Sequence, residues 1–404
     1  MDLDALLDHI VVPRPNGSAA LERTTAFLAT VLRDQGADVV LDPFPATPHG
    51  LQIVWATVFL LVLGHGLALL GRRFGIALMF LGSAVALLLA EFELLWSPVS
   101  GLAGEEAVNV LATFAGRDGG PLLVFGAHYD TTTHFGDHLL WHRVARWLGP
   151  TTAIAAAVSV AGRWRQRRGP LPRPLLLATA AAVLTPYAIM AAFFSIGPAV
   201  RSPSPGALDN GGSVAALVQL AERLQSRSQQ APTTVTLAFF AAEEERALGS
   251  WHFATHLARR GDPRPVAVIN LEGIGAGPRL TYVPEDGFGL RRWQSPPALA
   301  ALVDHVVHDQ VRVSLEPQPL PPDTLTDGRS FLAQGIPAIT LRAYTPAGFP
   351  RHLHSHADER SRLHLPAITA TVDVLEGLIR YVDAHPEALL DLPGTASRSA
   401  AEPG

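Results

Sequence analysis

Cysteine is absent from the 404 residues, which excludes a disulfide framework and any thiolate metal site. A metal in this chain has to be held by histidines and carboxylates. Lysine is absent too, so all 31 basic residues are arginine, a bias that fits genome composition better than a phosphate-binding design. The 36 acidic residues bring the net charge to −5. With no surplus of cations to neutralise phosphates, nucleic acid is not an expected partner. Charge is scarce overall, 17% against 48% apolar residues, and a chain of that composition buries a core over most of its length. The first 50 residues lack an apolar run long enough for a signal peptide. No internal repeat stands out.

The composition changes at Leu51. From there to Gly71, 21 positions pass without Asp, Glu, Lys or Arg, matching the roughly 20 a helix needs to cross hydrocarbon. Arg72 and Arg73 interrupt, Phe74–Ala90 is again uncharged, and Trp96 stands where an interfacial aromatic would. A shorter stretch, Trp147 to Gly162, contains Pro150; Arg163, Arg165, Arg167, Arg168 and Arg173 follow, then 27 uncharged positions from Pro174 to Val200 with Pro186 as a kink. The pattern predicts four membrane spans in two hairpins, 51–97 and 143–200, with lipid as a partner. A buried core hairpin is the other reading. The arginines gather at the two tips, and the positive-inside rule puts those tips in the cytoplasm. The expectation is a multi-pass protein of a bacterial cell membrane, its remaining segments together on the extracytoplasmic side.

Those segments, 1–50, 98–142 and 201–392, read as one discontinuous domain, with a disordered tail at 393–404. A helix is predicted over Ala19–Gln35, ended by Gly36, and a strand over Asp38–Leu41. Further strands are predicted over Pro121–Ala127, Thr233–Phe240, Pro265–Leu271 and Pro337–Leu341. Helices are predicted over Gly212–Gln225, Leu248–Arg260, Pro297–Gln310 and Pro366–Ala384. Short apolar strands alternating with amphipathic helices predict an α/β fold, a mixed and mostly parallel sheet sandwiched by helices, into which the two transmembrane hairpins are inserted.

The predicted strand ends carry metal-ligand residue types. The first runs into His128 and Asp130, which project to one side of an extended chain, where Asp130 can fix the ring orientation of a metal-bound His128. Asp209 lies in a glycine-rich turn before a helix, where taken alone it reads first as an N-cap. Glu243, Glu244 and Glu245 end a buried strand, where three carboxylates need a neutralising cation unless the loop is exposed. Glu272 ends another strand, and His352, His354 and His356 share one loop. Each string alone also has an ordinary structural reading. Together His128, Asp209, Glu244, Glu272 and His354 make a two-histidine, three-carboxylate set that suits two Zn²⁺ ions sharing one carboxylate.

These strings resemble the co-catalytic zinc aminopeptidases of metallopeptidase family 28. The likeness runs through Gly126–Thr131, Gly206–Leu217, Ala241–Ser250, Asn270–Gly277, Thr326–Leu341 and His354–Asp358, in family order, and covers nearly all the chain outside the two apolar hairpins. The resemblance implies that His128 and Glu272 bind one zinc, that Glu244 and His354 bind the other, that Asp209 bridges them, and that Glu243 is the general base. Glu272 stands where the family often has Asp; membrane-embedded relatives carry Glu after Asn-Leu, as here. The spacing to Asp358 selects His354 over His352 and His356. The implied activity is removal of the N-terminal residue from a peptide with a free amine. Carboxypeptidase action on the same scaffold would need a cation for the substrate carboxylate, for which Arg329 and Arg342 are candidates. Glutaminyl cyclase relatives use one zinc, and a pseudo-peptidase would lack ligands or the base; the full set here runs against both. A transporter would carry more ionisable residues inside its spans. The sequence does not fix the oligomeric state.

Overall fold

The computed structural model describes residues 1–46, 51–69, 74–88, 105–134, 202–261, 264–289, 291–312, 314–321, 324–344 and 352–390, with a few isolated positions between them. The chain divides into two compact units: Met1–Pro48, Glu105–Thr132 and Pro203–Gly404 make one, and His49–Gly104 with Thr133–Ser202 the other.

In the first unit the elements run α1 (Leu3–Ile10), α2 (Ala19–Asp34), β1 (Asp38–Ala46), β2 (Glu105–Phe114), β3 (Leu122–His128), α5 (Gly212–Leu224), β4 (Thr234–Phe240), α6 (Leu248–Arg259), β5 (Val266–Glu272), β6 (Thr281–Val283), β7 (Glu285–Phe288), β8 (Arg291–Gln294), α7 (Pro297–Val311), β9 (Glu316–Pro317), α8 (Gly328–Ala333), β10 (Ala338–Arg342) and α9 (Leu365–Ala384). Eight strands form one sheet in the order β1-β2-β4-β3-β5-β10-β6-β9, and β7 pairs with β8 apart from it. The four central strands are mutually parallel. β1, β2 and β6 join antiparallel, so the sheet is mixed, as expected.

Alternation along the central strands builds two cores, one per face. Leu123, Phe125 and Ala127 of β3 join Val235, Leu237 and Phe239 of β4 and Ile269 and Leu271 of β5 in the larger core, under α1, α2, α5, α7 and α9. Leu122, Val124, Phe240, Val266 and Val268 point the other way, onto Ala254 and Leu257 of α6 and Phe331 of α8. Phe240 meets the rings of Phe253 and Phe331 at 6.0 and 5.9 Å. Burying such a side chain is worth about 1.5–3 kcal/mol.

Most predicted elements appear within two residues of their expected ends. β1 is longer than the expected Asp38–Leu41, because Pro43 and Pro45 do not stop it. β1 pairs on one side only, with β2, and an edge strand tolerates residues that lack an N–H. Ser18 starts α2 by accepting from Leu21 N at 3.2 Å, and Gly36, at φ +86°, ends it.

α5 begins against the turn that follows β5. A Cβ on Gly212 would stand 1.9 Å from the Ile274 carbonyl oxygen, so only glycine permits this approach. Gly212→Ala should therefore lower stability by about 1–3 kcal/mol, as overpacking does. A thermal midpoint equal to that of the wild type would remove the claim.

In the second unit α3 (Leu51–Leu69) packs on α4 (Phe74–Leu88). Gly64 permits their closeness, since a Cβ there would meet Leu81 Cδ2 at 2.8 Å. The expectation of membrane-spanning hairpins is corrected here: among the described residues no helix is long and apolar enough to cross a membrane. The 15 residues of α4 rise about 22 Å and the 19 of α3 about 28 Å, against roughly 30 Å of hydrocarbon. α3 also contains Gly64, His65 and Gly66. The expected multi-pass membrane location and the extracytoplasmic placement derived from it fall with the spans. Hairpin 143–200, apart from isolated positions, and the whole tail 393–404 lie outside the described residues.

Candidate metal centre

The parallel strands end together. His128, the last residue of β3, is in register with Phe240, the last of β4. Gly126 is in register with Asn270, which sets Glu272 level with His128. The segment after β4 then supplies Glu243 and Glu244, so three strands deliver ligand-type side chains to one edge of the sheet. That edge, beyond the carboxyl ends of parallel strands, is where ligands bind in open α/β sheets.

Asp209 enters from the turn before α5. It caps neither that helix nor the short turn before it with its side chain, which removes the N-cap reading. Its peptide bond to Asn210 is cis. Asn210 fixes the turn to the end of β5: its Nδ2 donates to Leu271 O at 2.9 Å, and its Oδ1 accepts from Gly273 N at 3.0 Å.

The five expected ligands come together as two overlapping trios. Ligand atoms of His128, Asp209 and Glu272 lie within 4.8 Å of one another, and so do those of Asp209, Glu244 and His354. Asp209 divides its oxygens between them: Oδ1 is 3.0 Å from His128 Nε2, and Oδ2 is 3.0 Å from His354 Nε2. Glu272 Oε2 is 3.8 Å from His128 Nε2, and Glu244 Oε2 is 3.1 Å from His354 Nε2. Glu243 belongs to neither trio but lies beside the first, its Oε2 4.0 Å from His128 Nε2. Asp130 lies behind the site. Its Oδ1 is 3.4 Å from His128 Nδ1, and its two oxygens accept from Glu243 N and Glu244 N at 3.2 and 3.3 Å. His352, His356 and Glu245 belong to no trio among the described residues.

The electrostatics favour bound cations. Burial pushes Glu243 and Glu244 above the usual carboxylate range; for Glu243, Asp327, Glu272 and Glu244 push in the same direction. Asp327 is raised to about 7 by burial, with Glu272 and Asp130 adding to it. Burial also opposes the charge on Asp209, but His128 and His354 hold its carboxyl well below the ordinary value. Burial works against a charged His128 ring as well, yet the carboxylates around it, Glu243 foremost, raise it. So many buried acids are tolerable only if protonated or bound to cations.

The unmet bonding fits a metal. The His128 ring is fully buried, and its nitrogens face the carboxylates of Asp130 and Asp209 without the alignment of a hydrogen bond; Glu244 Oε1 and Glu272 Oε2 make no hydrogen bond either. Nitrogen and carboxylate donors in two trios that share Asp209 suit a pair of borderline divalent ions.

Two supports were not foreseen. Asp358 accepts from Leu208 N at 2.6 Å and Asp209 N at 3.3 Å, and burial with the charge of Asp209 raises it to about 7. Its signal was its place in the histidine string. Arg14, fully buried, had no signal. Its guanidinium donates to Tyr129 O at 2.5 Å, Pro205 O at 2.8 Å and Gly206 O at 3.1 Å, tying the turn after β3 to the turn before Asp209.

Comparison with known proteins finds the same fold elsewhere. A zinc aminopeptidase from Bacillus subtilis has a similar fold, with 11% identity, a TM-score of 0.55 and 94% of each chain covered. So has a Zn-dependent exopeptidase from Parabacteroides distasonis, with 15% identity, a TM-score of 0.55, and 94% of this chain and 97% of that one covered. A glutaminyl cyclase from Porphyromonas gingivalis reaches 15% identity and a TM-score of 0.54 over 95% of this chain and 96% of that one. At such identities the likeness is one of fold. No curated protein sequence matches the chain. The sequence model of peptidase family M28 matches residues 187–379, a span that contains Asp209, Glu243, Glu244, Glu272 and His354. The chain is a metallopeptidase, a hydrolase whose matched segment carries the family M28 pattern.

Proposed function

We propose that the chain is a zinc-dependent aminopeptidase working with two ions. His128, Asp209 and Glu272 hold one, Asp209, Glu244 and His354 the other, and Glu243 is the general base. The observation that carries this reading is Asp209, whose two oxygens each face a different histidine at 3.0 Å.

When bound, zinc supplies Lewis acidity toward the scissile carbonyl and lowers the pKa of water from 15.7 toward about 7. Glu243 takes the proton of the attacking water as its oxygen bonds to the carbonyl carbon. It then delivers that proton to the amine nitrogen as the C–N bond breaks. Asp130 orients the His128 ring and, through the N–H groups of Glu243 and Glu244, fixes the backbone that carries the base. The excess of buried carboxylates favours a substrate that brings a cationic amine. Arg329 and Arg342, the cations a carboxypeptidase would use, are each only 1% exposed and lie over Trp293 and Tyr344. That favours the amino-terminal reading.

The test combines chelation with a substrate panel. Stripping divalent metal should abolish hydrolysis of aminoacyl arylamides, and Zn²⁺ should restore it. Only substrates with a free amine should be cleaved, and a peptide with N-terminal glutamine should be shortened and not cyclised. Cleavage confined to blocked substrates, or cyclisation, would reject the proposal.

A further inference from the structure

We propose that Asp42, His252 and His256 form a third divalent-metal site, separate from the pair at the sheet edge and suited to borderline ions such as Zn²⁺ or Co²⁺. His252 and His256 are spaced i, i+4 on α6, so their rings leave one face of the helix, with centroids 4.2 Å apart. β1 brings Asp42 to them: its Oδ1 is 3.3 Å from His252 Nε2. One ligand atom from each residue lies within 4.8 Å of the others. Ligands about 2.0–2.2 Å from a shared tetrahedral ion stand about 3.3–3.6 Å apart, so a small side-chain rotation closes the site.

Two of the three ligands are held in place from behind. The other oxygen of Asp42 accepts from Asn109 Nδ2 at 3.3 Å. Asn109 is fully buried and is itself fixed by Gly249 O at 3.0 Å and Ala241 N at 3.2 Å. Phe44 stacks on the His252 ring with centroids 5.3 Å apart. Outer partners that orient a ligating carboxylate and a ligating imidazole are what metal sites have behind them. His256 is exposed, which gives an ion a way in and leaves its fourth position to water. The residues involved are shared with neither trio at the sheet edge, so the proposal stands independently of the aminopeptidase reading.

The full chain is equilibrated with Zn²⁺, freed of excess, and its metal counted per chain. The His256→Ala variant should hold one ion fewer than the wild type, and Asp42→Asn should do the same. His308→Ala, which removes an exposed helical histidine outside the trio, should hold the wild-type number. Arylamide hydrolysis by His256→Ala should be unchanged. Equal counts in the wild type and His256→Ala would leave only an ion pair between Asp42 and His252 and overturn the proposal. So would a loss in His308→Ala, which would mark scattered surface binding.

Discussion

Replacing Glu243 by glutamine is expected to lower kcat by about 10²- to 10⁴-fold, the usual contribution of a general base, while the metal content stays at the wild-type value. The separation follows from geometry. Glu243 lies outside both trios, so its loss takes no member from either. Glutamine matches its shape and adds no charge to a pocket already crowded with acids. The backbone N–H of residue 243 still reaches Asp130, because that contact at 3.2 Å does not involve the side chain. Single-turnover kinetics with metal analysis of the same preparation separates the two effects. Near-full turnover in the variant would remove Glu243 from the role of base, and loss of metal would make it a ligand.

Asp209→Ala should cost more than any other single ligand change. Both trios include Asp209, so its removal leaves His128 with Glu272 in one and His354 with Glu244 in the other. Two donors hold zinc far more weakly than three. Metal content should fall by both ions and turnover should drop below detection. Glu272→Ala, which touches one trio, should lose one ion and keep the other. Comparing the two variants tests the bridge itself: equal metal loss in both would mean that Asp209 serves a single ion.

The part of this fold easiest to read in the sequence was the centre of the sheet. β3, β4 and β5 are buried on both faces, so each appears as a mostly apolar run, with only Thr234 and Thr236 in β4 and Asn270 in β5 breaking it before the chemistry-bearing end. His128, Glu243 and Glu272 mark those ends. The edges were harder to read. β2 was not predicted at all, and Pro43 and Pro45 disguised the length of β1, because pairing on one side relaxes the rules that make a strand recognisable. Arg14 sits between two prolines, and nothing local announces that its guanidinium will reach carbonyls almost 200 positions away. The membrane reading failed for a different reason. An uncharged run is necessary for a span but also suits two short helices packed against each other, as where Gly64 admits Leu81. The pairing of Asp42 with His252 and His256 is half legible: the i, i+4 histidines can be seen in the sequence, whereas the aspartate arrives only through the fold.

Arg14 has a consequence for how the gene can vary. Its backbone exchanges hydrogen bonds with Thr131, through Oγ1 at 2.9 Å and N at 3.2 Å, and its side chain holds Pro205 and Gly206. The chain on either side of segment 133–202 is thus anchored to one guanidinium-bearing residue. Segment 133–202 belongs to the second compact unit, and the bonds Arg14 makes to its flanks lie outside it, so a change within the segment leaves those anchors their partners.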